Sequence, residues 1–134
     1  MKNILLILFL IIPFFGFISD SSIPKDEQFR KDYNNVAIYN FDTQKWGDWF
    51  RADHTFVLNY NARNDVLHVK ANGDNFIYKK IGDIGEAYND DGEHYQYFQA
   101  LDEEGIRFRF LLFDNPQLGV MMIYSNIKIQ FAYF

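Results

Sequence analysis

The chain has 134 residues, 18 of them acidic against 13 basic, and its net charge of −5 is the wrong sign for a protein that neutralises nucleic-acid phosphates. Its basic residues nowhere gather beyond the pair Lys79-Lys80, so no local patch reverses that conclusion. There is no cysteine, which excludes a disulfide framework and a lipid-modified cysteine, and the length is that of one domain.

The first element in chain order is a targeting segment. Met1-Lys2-Asn3 leads into residues 4–18, which carry no charge, the n-region and h-region of a secretory signal. Small residues at Ser19 and Ser21 predict a signal peptide over 1–21 and a product exported to the periplasm or the cell exterior. The alternative is an uncleaved N-terminal anchor, which would be the only membrane contact expected. Pro13 and Gly16 interrupt the apolar run, which is also short against the about 20 residues that span a bilayer. Residues 22–35 are polar and read as a leader, either flexible or a short helix starting at Pro24 with Phe29 and Tyr33 on one side.

The folded domain is expected over 36–134. Residues 36–42 open it with Val36, Ile38 and Tyr39, residue types that favour strands. A turn over 43–45 leads into the aromatic cluster Trp46-Gly47-Asp48-Trp49-Phe50. Phe56, Leu58 and Tyr60 alternate with Val57 and Asn59, and Leu67 and Val69 alternate with His68 and Lys70. Asn72-Gly73 is a strong hairpin signal, residues 75–81 form the next strand, and 82–93 form the longest irregular connection. Four strands follow: 95–101, 106–113, 118–124 and 127–134. In the second of these Ile106, Phe108, Phe110 and Leu112 alternate with Arg107 and Arg109, one face buried and one wet. Asp102-Glu103-Glu104-Gly105 is the turn before it, with Gly105 free to take positive φ.

About eight strands joined by short connections make neighbours in sequence antiparallel neighbours in the sheet. The predicted fold is therefore all-β, an up-and-down meander closed into a small barrel, with a two-layer β-sandwich as the alternative. Eleven Phe beyond the signal segment and nine Tyr supply the core of an exported domain that has no disulfides.

Gly47-Asp48-Trp49 near the start of a meander resembles the Gly-x-Trp of lipocalins, where the Trp closes one end of the barrel. The resemblance implies a basic residue from the last strands packed over that Trp, with Lys128 or Arg109 as candidates. It also implies a calycin-type barrel that binds a small apolar molecule.

The chemistry-bearing residues give little else. His54, His68 and His94 lie in three separate segments without metal-ligand spacing, and they read as structural or exposed histidines. Residues 89–93 carry carboxylates and a Gly without the spacing of a calcium loop, and they read as an acidic turn. With no Cys, no Gly-x-Ser-x-Gly and carboxylates confined to turns, no catalytic residue, metal or cofactor is expected. The candidate binding residues are Trp46, Trp49 and Phe50, either as a stacking platform or as a plug for the barrel end. Large apolar residues at nearly every inward position predict a filled interior, and hence a protein partner held on an outer face. The alternative is a carrier of a small apolar ligand inside the barrel.

Overall fold

The computed structural model describes residues 27–134. The expected signal segment 1–21 lies outside them, as do the first residues of the leader. Among the described residues there are nine strands: β1 (Phe29–Asn40), β2 (Lys45–Trp46), β3 (Phe50–Leu58), β4 (Val66–Lys70), β5 (Asn75–Tyr88), β6 (His94–Leu101), β7 (Arg107–Phe113), β8 (Val120–Ile123) and β9 (Ile127–Ala132). Each strand from β3 onward pairs antiparallel with the next, and β1 pairs with both β3 and β9. The meander therefore closes into an eight-stranded barrel with no free edge, and β2 is a two-residue addition beside the end of β1. The sandwich alternative is excluded by the β1–β9 pairing. The architecture is compatible with a calycin-like fold.

Closure is achieved by a division of labour along β1. Its first half, Phe29 to Val36, pairs with β3, and its second half, Asn35 to Asn40, pairs with β9. A register shift between Tyr33 and Asn35 marks the change. The leader expected over 22–35 is thus corrected from Phe29 onward, where it is neither flexible nor helical. Phe29, Lys31 and Tyr33 alternate as strand residues, and the buried Tyr33 ring meets Phe56 edge-on at 6.1 Å. Such period-2 burial outweighs the i, i+4 spacing that a helix would have used.

The connection expected over 82–93 is also shorter than predicted. β5 runs on to Tyr88 through an irregularity between Ile81 and Gly85, where its register to β6 shifts. Two glycines make this feasible: Gly82 takes φ 78°, and Gly85 lies beneath the Tyr97 ring, 2.5 Å from where a Cβ would stand. Only 89–93 remains as a turn. There the Asn89 side-chain oxygen accepts hydrogen bonds from the backbone N–H groups of Asp91 and Glu93.

The interior divides into two halves. Toward the end formed by the β3–β4, β5–β6 and β7–β8 turns it is packed solid by Phe56, Leu58, Val66, Phe98, Phe110, Leu112 and Val120. Phe110 stacks on Phe98 at 4.9 Å and meets Phe56 edge-on at 5.6 Å. Phe108 and Phe110 are core, as the alternation in β7 predicts. Asp65, almost wholly buried, seals this end: its carboxylate accepts from Asn61 Nδ2, Arg63 Nε and the backbone N–H of Lys80, so that a buried charge is hydrogen-bonded on both oxygens. The other end is not filled.

Candidate functional site

At the end bounded by the β1–β3, β4–β5, β6–β7 and β8–β9 connections, the barrel opens into a cavity of about 670 Å³. Its walls are apolar, from Val36, Phe50, Ala52, Phe76, Met122, Ile129 and Phe131. Its polar lining is His54, His68, Tyr78 and Tyr124, and its lip carries Lys70, Asn72, Asp102, Glu103 and Glu104. The filled interior predicted from inward bulk is therefore corrected. Ala52 and the slender imidazoles of His54 and His68 occupy inward positions where Phe or Leu would have closed the space.

The polar lining is built by the pleat. In the sheet register His54 stands opposite Lys70 and His68 opposite Phe76, so His54, His68 and Tyr78 are diagonal neighbours on β3, β4 and β5. Diagonal pairs on one face lie about 7–8 Å apart at Cα, a gap that aromatic side chains bridge. His54 Nδ1 and His68 Nε2 come to 2.8 Å, and His68 Nδ1 and the Tyr78 hydroxyl to 2.6 Å. The result is a three-residue hydrogen-bonded relay along the wall.

Packing keeps this relay uncharged. His68 is 3% exposed and stacks on Phe56 at 4.3 Å, with Phe131 edge-on at 5.4 Å. Burial, then the neighbouring His54 and Lys70, push its imidazole down to about 3. His54 is lowered as well, by burial first and then Lys70, with Asp53 opposing. Burial raises the Tyr78 phenol above its ordinary value, with Tyr124, Asp102 and Glu103 adding to it. All three groups are neutral near pH 7.

The lip is fixed from below. Asp102 accepts from the backbone N–H groups of Glu104 and Ile106 and from the Tyr124 hydroxyl at 3.1 Å, and Gly105 takes φ 80° to make the turn. The Glu103 carboxylate accepts from the backbone N–H of Ile77 at 2.9 Å, and Lys70 Nζ rests over the Phe76 ring at 5.0 Å. Tyr124 stacks on Phe108 at 5.0 Å.

Comparison with family models, with curated proteins and with solved structures found no match.

The three aromatic residues singled out in the sequence are separated by the fold. Phe50, opposite Val36 at the start of β3, lines the cavity. Trp49 meets Phe134 edge-on at 5.1 Å. Trp46 sits on β2 beside Tyr39 at 5.3 Å, and Lys128 Nζ lies 4.9 Å from the Tyr39 ring and 5.7 Å from those of Phe41 and Trp46. A lysine thus covers a Trp, as the lipocalin resemblance implies, but the Trp is Trp46 and not the Trp49 of Gly47-Asp48-Trp49. Arg109 lies over Tyr97 instead, at 5.1 Å.

The separation of the histidines along the sequence does not carry over to the fold. His54 and His68 are not scattered but in contact, and His68 points inward while Leu67 and Val69 are only partly buried. The register decides this phase, because Phe56 is opposite His68 and the inward face of β3 fixes that of β4. The legible signal was the parity of His54 with Phe56 and Leu58. His94 is separate, at the packed end, between Asp114 at 2.9 Å and Glu86 at 3.0 Å. Among the described residues, no three His, Asp or Glu side chains converge to hold a metal ion.

Proposed function

We propose that this protein is an exported, non-catalytic carrier that takes one small, largely apolar molecule into the open end of its barrel. The observation that carries the reading is the cavity of about 670 Å³ with apolar walls and a few convergent polar groups. Ligand sites are typically about 300–1,000 Å³ and lined in that way. The lining contains no Ser, Thr or Cys nucleophile for the two histidines to activate, which favours binding over catalysis. Export is supported by the charged start and uncharged run over 1–18. A lipocalin-like relationship is part of the same proposal, supported by the closed eight-stranded meander, Gly47-Asp48-Trp49 in the β1–β3 connection and the lysine over aromatic rings.

The test is displacement of a neutral fluorophore such as 1-aminoanthracene, compared between wild type and Ala52→Trp, which places an indole in the cavity. Binding in the wild type and at least about tenfold weaker binding in the variant support the reading, with melting temperature reporting that the variant is folded. Equal binding by the two proteins overturns it. A second reading keeps the protein partner, and the observation that favours it is the group of exposed Trp46 and Phe41 beside the half-buried Tyr39, all under Lys128. A partner lost on Trp46→Ser and retained on Ala52→Trp would support that use of the outer face.

A further inference from the structure

The His54–His68–Tyr78 relay specifies the head group of the ligand, an inference that rests on the carrier reading above. A neutral imidazole has one N–H and one bare nitrogen, so the protons of this chain are ordered in one of two ways. In one, His54 Nδ1–H donates to His68 Nε2 and His68 Nδ1–H donates to the Tyr78 oxygen. The Tyr78 O–H is then a free donor and His54 Nε2 a free acceptor. In the other, Tyr78 O–H donates to His68 Nδ1 and His68 Nε2–H donates to His54 Nδ1, which leaves His54 Nε2–H as donor and the Tyr78 oxygen as acceptor. Either order presents one donor and one acceptor, with no net charge. Both terminal residues line the cavity, and neither side chain has another hydrogen-bond partner among the described residues.

The surroundings reject ions at that depth. The relay lies among Phe56, Phe76 and Phe131, whereas the full charges stand at the lip. A carboxylate entering the cavity would pass Asp102, Glu103 and Glu104 with a single Lys70 to offset them. At the relay it would meet imidazoles that do not protonate near neutral pH. An ammonium would lose its hydration there for two neutral dipoles, with Lys70 nearby.

We infer that the cavity selects an uncharged molecule with an apolar body whose leading end bears a single hydroxyl or carbonyl, held by the free ends of the His54–His68–Tyr78 relay. Either group suits it, since a hydroxyl uses both ends and a carbonyl needs only the donor.

A naphthalene series tests this by calorimetry at about pH 7.4, where 2-naphthol is neutral. The members are 2-naphthol, 2-acetylnaphthalene, 2-methylnaphthalene, 2-naphthoate and 2-naphthylmethylammonium. The expected result is that the alcohol and the ketone bind about tenfold tighter than the methyl compound, the scale of one hydrogen bond, and that both ions bind about tenfold or more weaker than the alcohol. In the double variant His54→Leu with Tyr78→Phe, the advantage of 2-naphthol over 2-methylnaphthalene should fall to about twofold or less. Retained binding of 2-methylnaphthalene reports an intact cavity. An ion that binds as tightly as the alcohol, or an advantage that survives the double variant, overturns the head-group inference and leaves the carrier reading standing. If no member of the series binds wild type, the carrier reading fails, and this inference fails with it.

Discussion

Replacing His68 by Gln should make the protein markedly less sensitive to acid. In the folded chain the imidazole stays neutral down to about 3, whereas in the unfolded chain it protonates at the ordinary 6.5. A depressed folded value means that stability is complete above 6.5 and declines as pH falls toward 3, because the unfolded state alone takes up the proton. At about pH 4.5, two units into that window, one proton of difference costs the native state roughly 3 kcal/mol. Gln fills similar space and offers one donor and one acceptor but does not titrate. Urea unfolding of both proteins at about pH 7.5 and about pH 4.5 gives a double difference in which other carboxylates and His94 cancel. His54 keeps its burial and its Lys70 neighbour in both proteins, so it cancels to first order. The expected double difference is about 2–3 kcal/mol. A value below about 0.5 kcal/mol would mean that His68 is charged or solvated in the native state, and the account of a neutral relay would fall.

Phe110→Ala should destabilise by about 3–5 kcal/mol in urea melts, since it empties a fully buried site and breaks ring contacts to Phe98 and Phe56. A loss under about 1 kcal/mol would contradict the solid packing of the closed end. Gly119→Ala should destabilise by more than about 1 kcal/mol, because Ala does not fit a positive φ. Gly119 takes φ 62°, and an added Cβ would overlap the Phe131 carbonyl; a melting temperature equal to wild type would refute that approach of the two backbones. His94, held above the usual histidine value of 6.5 by hydrogen bonds to Asp114 and then Glu86, should titrate by NMR with a midpoint above 6.5, and Asp114→Asn should lower it. Its stabilising contribution is complete below 6.5 and is lost as pH rises through the folded midpoint.

The barrel was legible because β6, β7 and β9 alternate with inward Phe and Ile, and because Asp102 to Gly105 marks a tight turn. The cavity was not, and β4 shows why. Leu67 and Val69 are more apolar than His68, so alternation alone turns the strand over. The partners Val57 and Ile77 stand opposite Leu67 and cover it on the outer face, a cross-strand arrangement that no reading of β4 by itself contains. Residues 29–35 were misread for a related reason. Their polar residues face water on one side of a strand, while Tyr33 is buried with its ring against Phe56 of the neighbouring strand. Trp46 and Trp49 were noticed for their rarity, yet the residues that shape the cavity are common ones in inward phase.

The pairing of β1 with β9 has a kinetic consequence. It joins Asn35 to Ala132 and Asn40 to Ile127, the longest loop that the domain closes, whereas every other ring pair joins strands adjacent in the meander. Loop-closure entropy makes such a seam late and slow, as in other folds dominated by non-local pairing. Until it forms, β1 and β9 are open edges able to recruit strands from another chain. Lys128, the second residue of β9, places a charge on that edge, so the residue that rests on Tyr39, Phe41 and Trp46 in the closed barrel disfavours strand addition to the unclosed one.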